Sequence, residues 1–256
     1  MSFFNVQGKE INVAGSIHHS EVHFFDGVSC KIPVHKAVEL VYYWAKKYPV
    51  NKTAEEVDVH ENTVIDYFNY CREVCTVATQ RRGDAVIGGV NKTVEIDESK
   101  FFKRKYNRGR ILGSQKDGWV FGGICRETKE VFMIRVKDRT RATLYEAIKK
   151  HILPGTTIIS DEWAAYKTLE EEGFQHQTIC HKRNFVDPLD KKIHTQNIEN
   201  QWRYAKKNYP DNSTSESLRD SYLQEYLYRK KHGNKIMDQI LHDIKEVYPW
   251  RPHTEL

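Results

Sequence analysis

The stretch Val94-Glu95-Ile96-Asp97 alternates apolar and polar side chains, the period of two that a half-buried strand requires, and it ends on a carboxylate. Residues 93–98 therefore read as one strand. Two more follow at 118–125 and 130–136, where Trp119-Val120-Phe121 and Val131-Phe132-Met133-Ile134 supply β-branched and aromatic residues. A helix is expected over 141–151, stopped before Pro154-Gly155. The β-branched run Thr156-Thr157-Ile158-Ile159-Ser160-Asp161 makes a fourth strand, again closing on an acid. A helix over 162–172 ending at Gly173, a strand near 176–180 and a long helix over 194–208 before Pro210 complete the series.

Two hairpin-linked strands leading into alternating helices and strands is the element order of a ribonuclease-H-like mixed sheet, an α/β fold. In that order Asp97 lies mid-sheet, Asp161 closes the adjacent fourth strand, and Glu199 arrives on the last helix, which also presents Trp202 and Lys206. Two strand-end carboxylates and one helical carboxylate can hold two Mg²⁺ (or Mn²⁺) ions, which would activate a water and stabilise a leaving 3′ oxygen in phosphodiester chemistry. The chain has 35 acidic residues, so the three count only for where they fall. Glu98, next to Asp97, points to the opposite sheet face and stays outside this set.

After the first strand, residues 100–116 carry seven basic residues and no acid. Lys103, Arg104, Lys105, Arg108 and Arg110 are the candidate contacts to phosphate, beside the three acids; a solvated basic loop is the plainer alternative. Trp163 can anchor the core or stack on a base, and Tyr166 is assigned to the core. His181, beside Cys180, reads as structural; His194 can serve the start of the Glu199 helix or act near the metals.

Upstream, residues 35–79 read as three helices. Ala37, Val38, Leu40, Val41 and Trp44 form the apolar face of the first, which should stop at Tyr48 because Pro49 follows. Thr53 to Val57 form a short second helix capped near Asn51–Thr53, and Val64, Phe68, Cys71 and Cys75 mark a third. The plan fits a small all-α helix-turn-helix module over 35–80, with Asn62, Thr63, Asp66 and Tyr67 near the end that would enter a major groove; a plain three-helix module fits as well. Residues 83–89 read as a linker, 1–34 as irregular or short strands, and 233–256 as a helical tail.

The 256 residues suffice for a sizeable core, and 40 Lys+Arg against 35 Asp+Glu leave a mildly basic chain of net charge +5. Such a balance is compatible with a polyanionic partner. No long apolar run or signal peptide is evident, so a soluble intracellular protein with no membrane partner is expected. Five cysteines, odd in number and scattered, suit a reducing compartment.

Several ordered blocks resemble the DDE transposases of the Merlin superfamily and their bacterial insertion-sequence relatives. They run from Val94 through Lys100, Lys105 to Arg110, Trp119 to Gly123, Ile152 to Gly155, Ile159 to Trp163 with Tyr166, and His194 to Trp202. Glu225 to Arg229 is similar to the family's last helix. The resemblance implies a ribonuclease-H-like transposase domain over 90–232, with Asp97, Asp161 and Glu199 as the catalytic metal-binding triad. It also implies that Lys206 contacts phosphate near the scissile bond. Some relatives use Asn as third ligand, and Asn197 and Asn200 flank Glu199, which is preferred for its stronger hard-cation affinity. Implied partners are double-stranded DNA, as transposon ends and target, and further copies of the chain in a dimer or higher assembly. Implied location is the nucleus in a eukaryote and the cytoplasm otherwise. Many relatives begin with a zinc ribbon containing CxxC pairs; here Cys30 alone stands in that region, as a possible remnant. A catalytically silent DNA-binding descendant of a transposon, or a nuclease of the same fold, would share these features.

Overall fold

The computed structural model describes residues 3–6, 9–12, 32–83, 86–101, 118–162, 164–166, 169–179, 194–209 and 216–248. In chain order the elements are β1 (Phe3–Val6), β2 (Lys9–Asn12), α1 (Val34–Ala45), α2 (Val50–Val57), α3 (Glu61–Arg82), β3 (Ile87–Gly88), β4 (Thr93–Lys100), β5 (Trp119–Cys125) and β6 (Val131–Val136). Then come α4 (Arg141–His151), β7 (Ile152–Leu153), β8 (Thr157–Asp161), β9 (Gln175–Ile179), α5 (Gln196–Lys207), α6 (Glu216–His232) and α7 (Ile236–Val247). The chain divides into two compact units, Gly83–Leu227 on one side and Met1–Arg82 with Tyr228–Leu256 on the other. Among the described residues no helix is long and apolar enough to cross a membrane.

In the helical unit, Ala37, Val38, Leu40, Val41 and Trp44 of α1 pack with Val64, Phe68, Cys71 and Cys75 of α3 and with Ile240 and Ile244 of α7. Residues 236–247 form α7 and give Ile240 and Ile244 to the core of this unit. The α2 helix starts earlier than the Asn51–Thr53 signal suggests. Pro49, extended at φ −62 and ψ 145, takes the cap position, and the Thr53 hydroxyl donates back to the Pro49 carbonyl at 3.0 Å instead of capping. Arg229 closes the C-terminal end of α1, donating to the carbonyls of Trp44 (2.7 Å) and Ala45 (3.1 Å) while its guanidinium lies 4.0 Å from the Trp44 ring centre.

The other unit is built on a five-stranded mixed sheet of order β6-β5-β4-β8-β9. The pairs β6–β5 and β5–β4 are antiparallel, and β4–β8 and β8–β9 are parallel. This mixed α/β arrangement is consistent with the ribonuclease-H-like order expected from the sequence. One sheet face packs Val94, Ile96, Phe121 and Phe132 against Leu144 and Ile148 of α4. The other packs Val120, Ile124 and Met133 against Ile198 and Trp202 of α5.

In this unit two expectations change. The segment 162–172 is not an α-helix where it is described; it makes 3₁₀ turns at Ala164–Tyr166 and Glu170–Glu172. Tyr166 and Leu169 are both buried, and their spacing of three suits the tighter turn. The supposed linker contains β3, which pairs in parallel with β7. Gly88 holds φ +88 there, and a β-carbon on it would come within 2.5 Å of the Thr156 hydroxyl oxygen.

Candidate active site

Alternation along β4 sends Glu95 and Asp97 to the face covered by α5 and sends Val94, Ile96 and Glu98 to the other. Asp97 stands opposite Gly122 of β5. A β-carbon on Gly122 would lie 2.6 Å from the Trp202 ring, so the glycine leaves the space in which that indole rests. From there Trp202 Nε1 donates to Asp97 Oδ2 at 2.9 Å, and the Glu98 backbone N–H donates to Oδ1 at 2.8 Å. Gly122→Ala is therefore expected to push the indole off Asp97 and cost about 1–3 kcal/mol of stability, measurable by denaturant unfolding and by a shift of the Trp202 indole resonance. An unchanged resonance would contradict this packing.

Asp161 reaches the same edge through the parallel pairing of β8 with β4. The last paired residues are Glu95 and Ile159, and two residues further along each strand are Asp97 and Asp161, on the same face. Burial is the main cause that lifts the Asp97 carboxyl to about 6, offset by its two hydrogen bonds and reinforced by the negative charges of Asp161 and Glu199. The three sequence-selected acids thus share one electrostatic field. Lys206 joins it: burial lowers its ammonium from the usual lysine value, while Asp97 draws it back up. Its Nζ stands 5.5 Å from the Phe101 ring centre, and Phe101 packs edge-on against Trp202.

Glu98 sits on the opposite face as expected, yet it is not remote. Its side chain is 3% exposed and 3.9 Å from Arg139; burial first, then Asp97 and Asp161, push its carboxyl up to about 8. This is a second acid under the influence of the same charges, and the period of two alone did not reveal it.

Glu199 occupies the first turn of α5, where the Thr195 hydroxyl donates to its Oε1 at 3.3 Å. The helix itself is held by Glu95, a fully buried carboxylate that the sequence reading passed over. Glu95 Oε2 accepts from the backbone N–H groups of Asn197 (2.9 Å) and Ile198 (3.2 Å), and Oε1 accepts from Asn197 Nδ2 (2.5 Å) and Arg126 Nε (2.6 Å). Arg126 also donates to the His194 carbonyl at 2.7 Å, and His194 Nδ1 lies 3.5 Å from Glu95 Oε1. The one available signal was position: Glu95 shares a sheet face with Asp97.

Among the described residues, no three acidic, histidine or cysteine side chains already form a ready metal cage. The donor set still fits a hard divalent cation, because it is all carboxylate oxygen and the Asp97 charge is disfavoured by burial first and by its acidic neighbours second. A cation held there would compete with the proton for Asp97. Mg²⁺ or Mn²⁺ affinity should fall as pH drops through about 6, which calorimetric titration between pH 5 and 8 would check; a flat profile would exclude Asp97 as a ligand.

The remaining candidates divide. Lys103, Arg104, Lys105, Arg108, Arg110, Trp163, Cys180 and His181 lie outside the described residues. Tyr166 is in the core at 1% exposure, as assigned. Asn62 is exposed and Thr63 half-buried at the start of α3, whereas the Tyr67 ring is 5% exposed within the helical core.

The profile of the ISXO2-like transposase domain matches residues 84–231, more than half of the chain. No functionally curated protein matches. Three of the solved structures that match have low overall similarity. A chain of the simian T-cell lymphotropic virus intasome in complex with PP2A regulatory subunit B56 gamma is 13% identical over 85% of this chain and 76% of its own, with a TM-score of 0.32. A chain of a pre-cleavage Mos1 transpososome is 9% identical over 94% and 84%, with a TM-score of 0.26. A chain of the Mos1 strand transfer complex is 7% identical over 94% and 83%, with a TM-score of 0.20. The span matched by the family profile takes in all three acids and Lys206: the chain belongs to the ISXO2-like transposase domain family.

Proposed function

We propose that this protein cuts and rejoins DNA phosphodiesters as a cut-and-paste transposase, with Asp97, Asp161 and Glu199 as the carboxylates that hold two Mg²⁺ (or Mn²⁺) ions. The observation that carries the reading is geometric: Asp97 and Asp161 stand two residues past the last β4–β8 pair on one sheet face, and Trp202 of the Glu199 helix donates to Asp97. Bound divalent ions supply Lewis-acid activation of the attacking oxygen and charge neutralisation at the phosphate. The residues do the rest. Asp97, fixed by Trp202 and the Glu98 N–H, presents its free lone pairs from the sheet. Lys206, two helical turns beyond Glu199, contributes a positive charge toward the scissile phosphate. The reaction is water attack that frees a 3′-OH, followed by in-line attack of that 3′-OH on a target phosphate.

The DNA partner is the transposon end and the target duplex, engaged by Lys103, Arg104, Lys105, Arg108 and Arg110, which follow the Asp97 strand in the sequence. Phosphate contacts of this kind are salt-dependent. The helices α2 and α3 serve as a helix-turn-helix, with Asn62 and Thr63 as its accessible base-reading side chains. Glu61 and Asp66 are exposed beside them and oppose phosphate, so this module contributes orientation more than affinity. Two ends must meet, which calls for a dimer or higher assembly, located in the nucleus if the host is eukaryotic.

The test is cleavage of a labelled duplex carrying the element's own ends. Mg²⁺-dependent nicking at the end, abolished by chelation, is expected. Tight binding with no cutting in Mg²⁺ or Mn²⁺ would overturn the enzymatic reading and leave a DNA-binding descendant of a transposase.

A further inference from the structure

We infer that Glu95, clamped by Arg126, is a positioning residue that docks the α5 helix onto β4 and thereby sets where Glu199 presents its carboxylate. The inference rests on the metal-site reading of Asp97, Asp161 and Glu199 and adds the device that brings the third acid to the other two.

The α5 helix lacks an ordinary start. Its cap residue Thr195 makes no side-chain capping bond, because its hydroxyl is turned to Glu199. The first N–H groups of a helix need an acceptor, and an anion there is favoured by the helix dipole. Glu95 meets both needs from another element, taking the N–H groups of Asn197 and Ile198 on one oxygen. Its other oxygen takes the Asn197 amide and Arg126 Nε, and Arg126 reaches on to the His194 carbonyl just outside the helix. A carboxylate that is fully buried yet this fully paired fixes geometry rather than merely filling space.

The spacing explains why two anchors suffice. From Glu95 to Asp97 the strand advances about 6.6 Å at ~3.3 Å per residue. From Ile198 to Trp202 the helix advances about 6 Å at ~1.5 Å per residue. Strand and helix therefore keep step, Glu95 gripping the first turn and Asp97 gripping Trp202 one turn later. Glu199 lies between the two grips. Rotation or sliding of α5 would break both at once, so the same strand that supplies the first acid also fixes the third.

Glu95→Gln keeps the shape but removes the charge and puts an amide N–H against donors. Arg126→Lys keeps the charge without the fork, and Arg126→Ala removes both. Three readouts on the full chain separate positioning from simple stability: Mn²⁺ binding by electron paramagnetic resonance without DNA, the Trp202 indole resonance in the metal-free protein, and single-turnover cleavage at a temperature well below melting. Expected for Glu95→Gln are a displaced Trp202 resonance, at least tenfold weaker Mn²⁺ binding and at least tenfold slower cleavage, with DNA affinity unchanged and excess Mn²⁺ restoring part of the rate. Arg126→Lys should retain more of each than Arg126→Ala. A lower melting temperature with native metal affinity, resonance and rate would overturn the inference, since a purely structural role predicts just that. If the native chain binds no Mn²⁺, or Asp161→Ala binds it as well as native, the metal-site reading itself fails, and a native Trp202 position in Glu95→Gln would then also overturn the docking role.

Discussion

Asp97→Asn is expected to give a folded chain, more heat-stable than native without metal, that cuts DNA at least about a thousandfold more slowly. The stability half follows from linkage. Burial and the charges of Asp161 and Glu199 hold the Asp97 carboxyl at about 6, above the ordinary aspartate value of 3.8. A carboxyl raised on folding binds more protons in the native state than in the unfolded one, so its contribution to stability is greatest below about 4 and is lost as pH rises through about 6. Above that, the ionised group costs on the order of 3 kcal/mol. Asparagine removes the charge and keeps an oxygen for the Trp202 indole, while its amide N–H group against the Glu98 N–H returns only part of that gain, about 1 kcal/mol. The activity half follows from the loss of an anionic oxygen ligand, which an amide replaces poorly for a hard cation. Thermal unfolding at pH 7.5 with chelator, beside cleavage in Mg²⁺, checks both. A destabilised variant would mean that Asp97 is built for folding, and near-native cutting would remove it from the chemistry. Strain of this sort at a site is an ordinary cost of function.

Trp44→Ala should have the largest purely structural effect, about 3–5 kcal/mol lost from the helical unit. The ring is 1% exposed among α1, α3 and α7 residues, and Arg229 covers it while closing the end of α1. Removal leaves a cavity and strips the guanidinium of its aromatic partner. Urea unfolding followed by far-UV circular dichroism should show the loss, and Ile65→Ser, at an exposed site on α3, should change little. A Trp44→Ala loss below about 1 kcal/mol would mean that the helical core is not organised around this ring.

The sheet was legible because its strands carry their own period. Val94, Ile96 and the run from Thr157 to Asp161 alternate or branch at the β-carbon, and the observed bounds fall within a residue or two of those read. Acids at the ends of such strands stand out for the same reason. Glu95 did not, because on an alternating strand a polar residue between two apolar ones reads as solvent-facing; only the arrival of α5, from far along the chain, buries it. Gly122 was unreadable likewise, since its need for empty space is set by Trp202. The 3₁₀ turns around Tyr166 were misread as a helix because burial every three residues imitates one face of it. The β3 strand, two residues long, is too short to show any period. In the helical unit the apolar faces of α1 and α3 were plain, but the buried place of Tyr67 was not, since a tyrosine near a helix start serves a core and a groove equally well on paper.

The central claim is that the carboxylates gathered around Asp97 perform metal-dependent DNA joining. The most direct measurement uses a pre-cut labelled end bearing a free 3′-OH and a target duplex, with native chain and Asp161→Ala compared in Mg²⁺ and in chelator. The account predicts joined product from the native chain in Mg²⁺ alone and none from Asp161→Ala, with both proteins binding the end equally. Joining by Asp161→Ala at the native rate, or joining that persists in chelator, would contradict it.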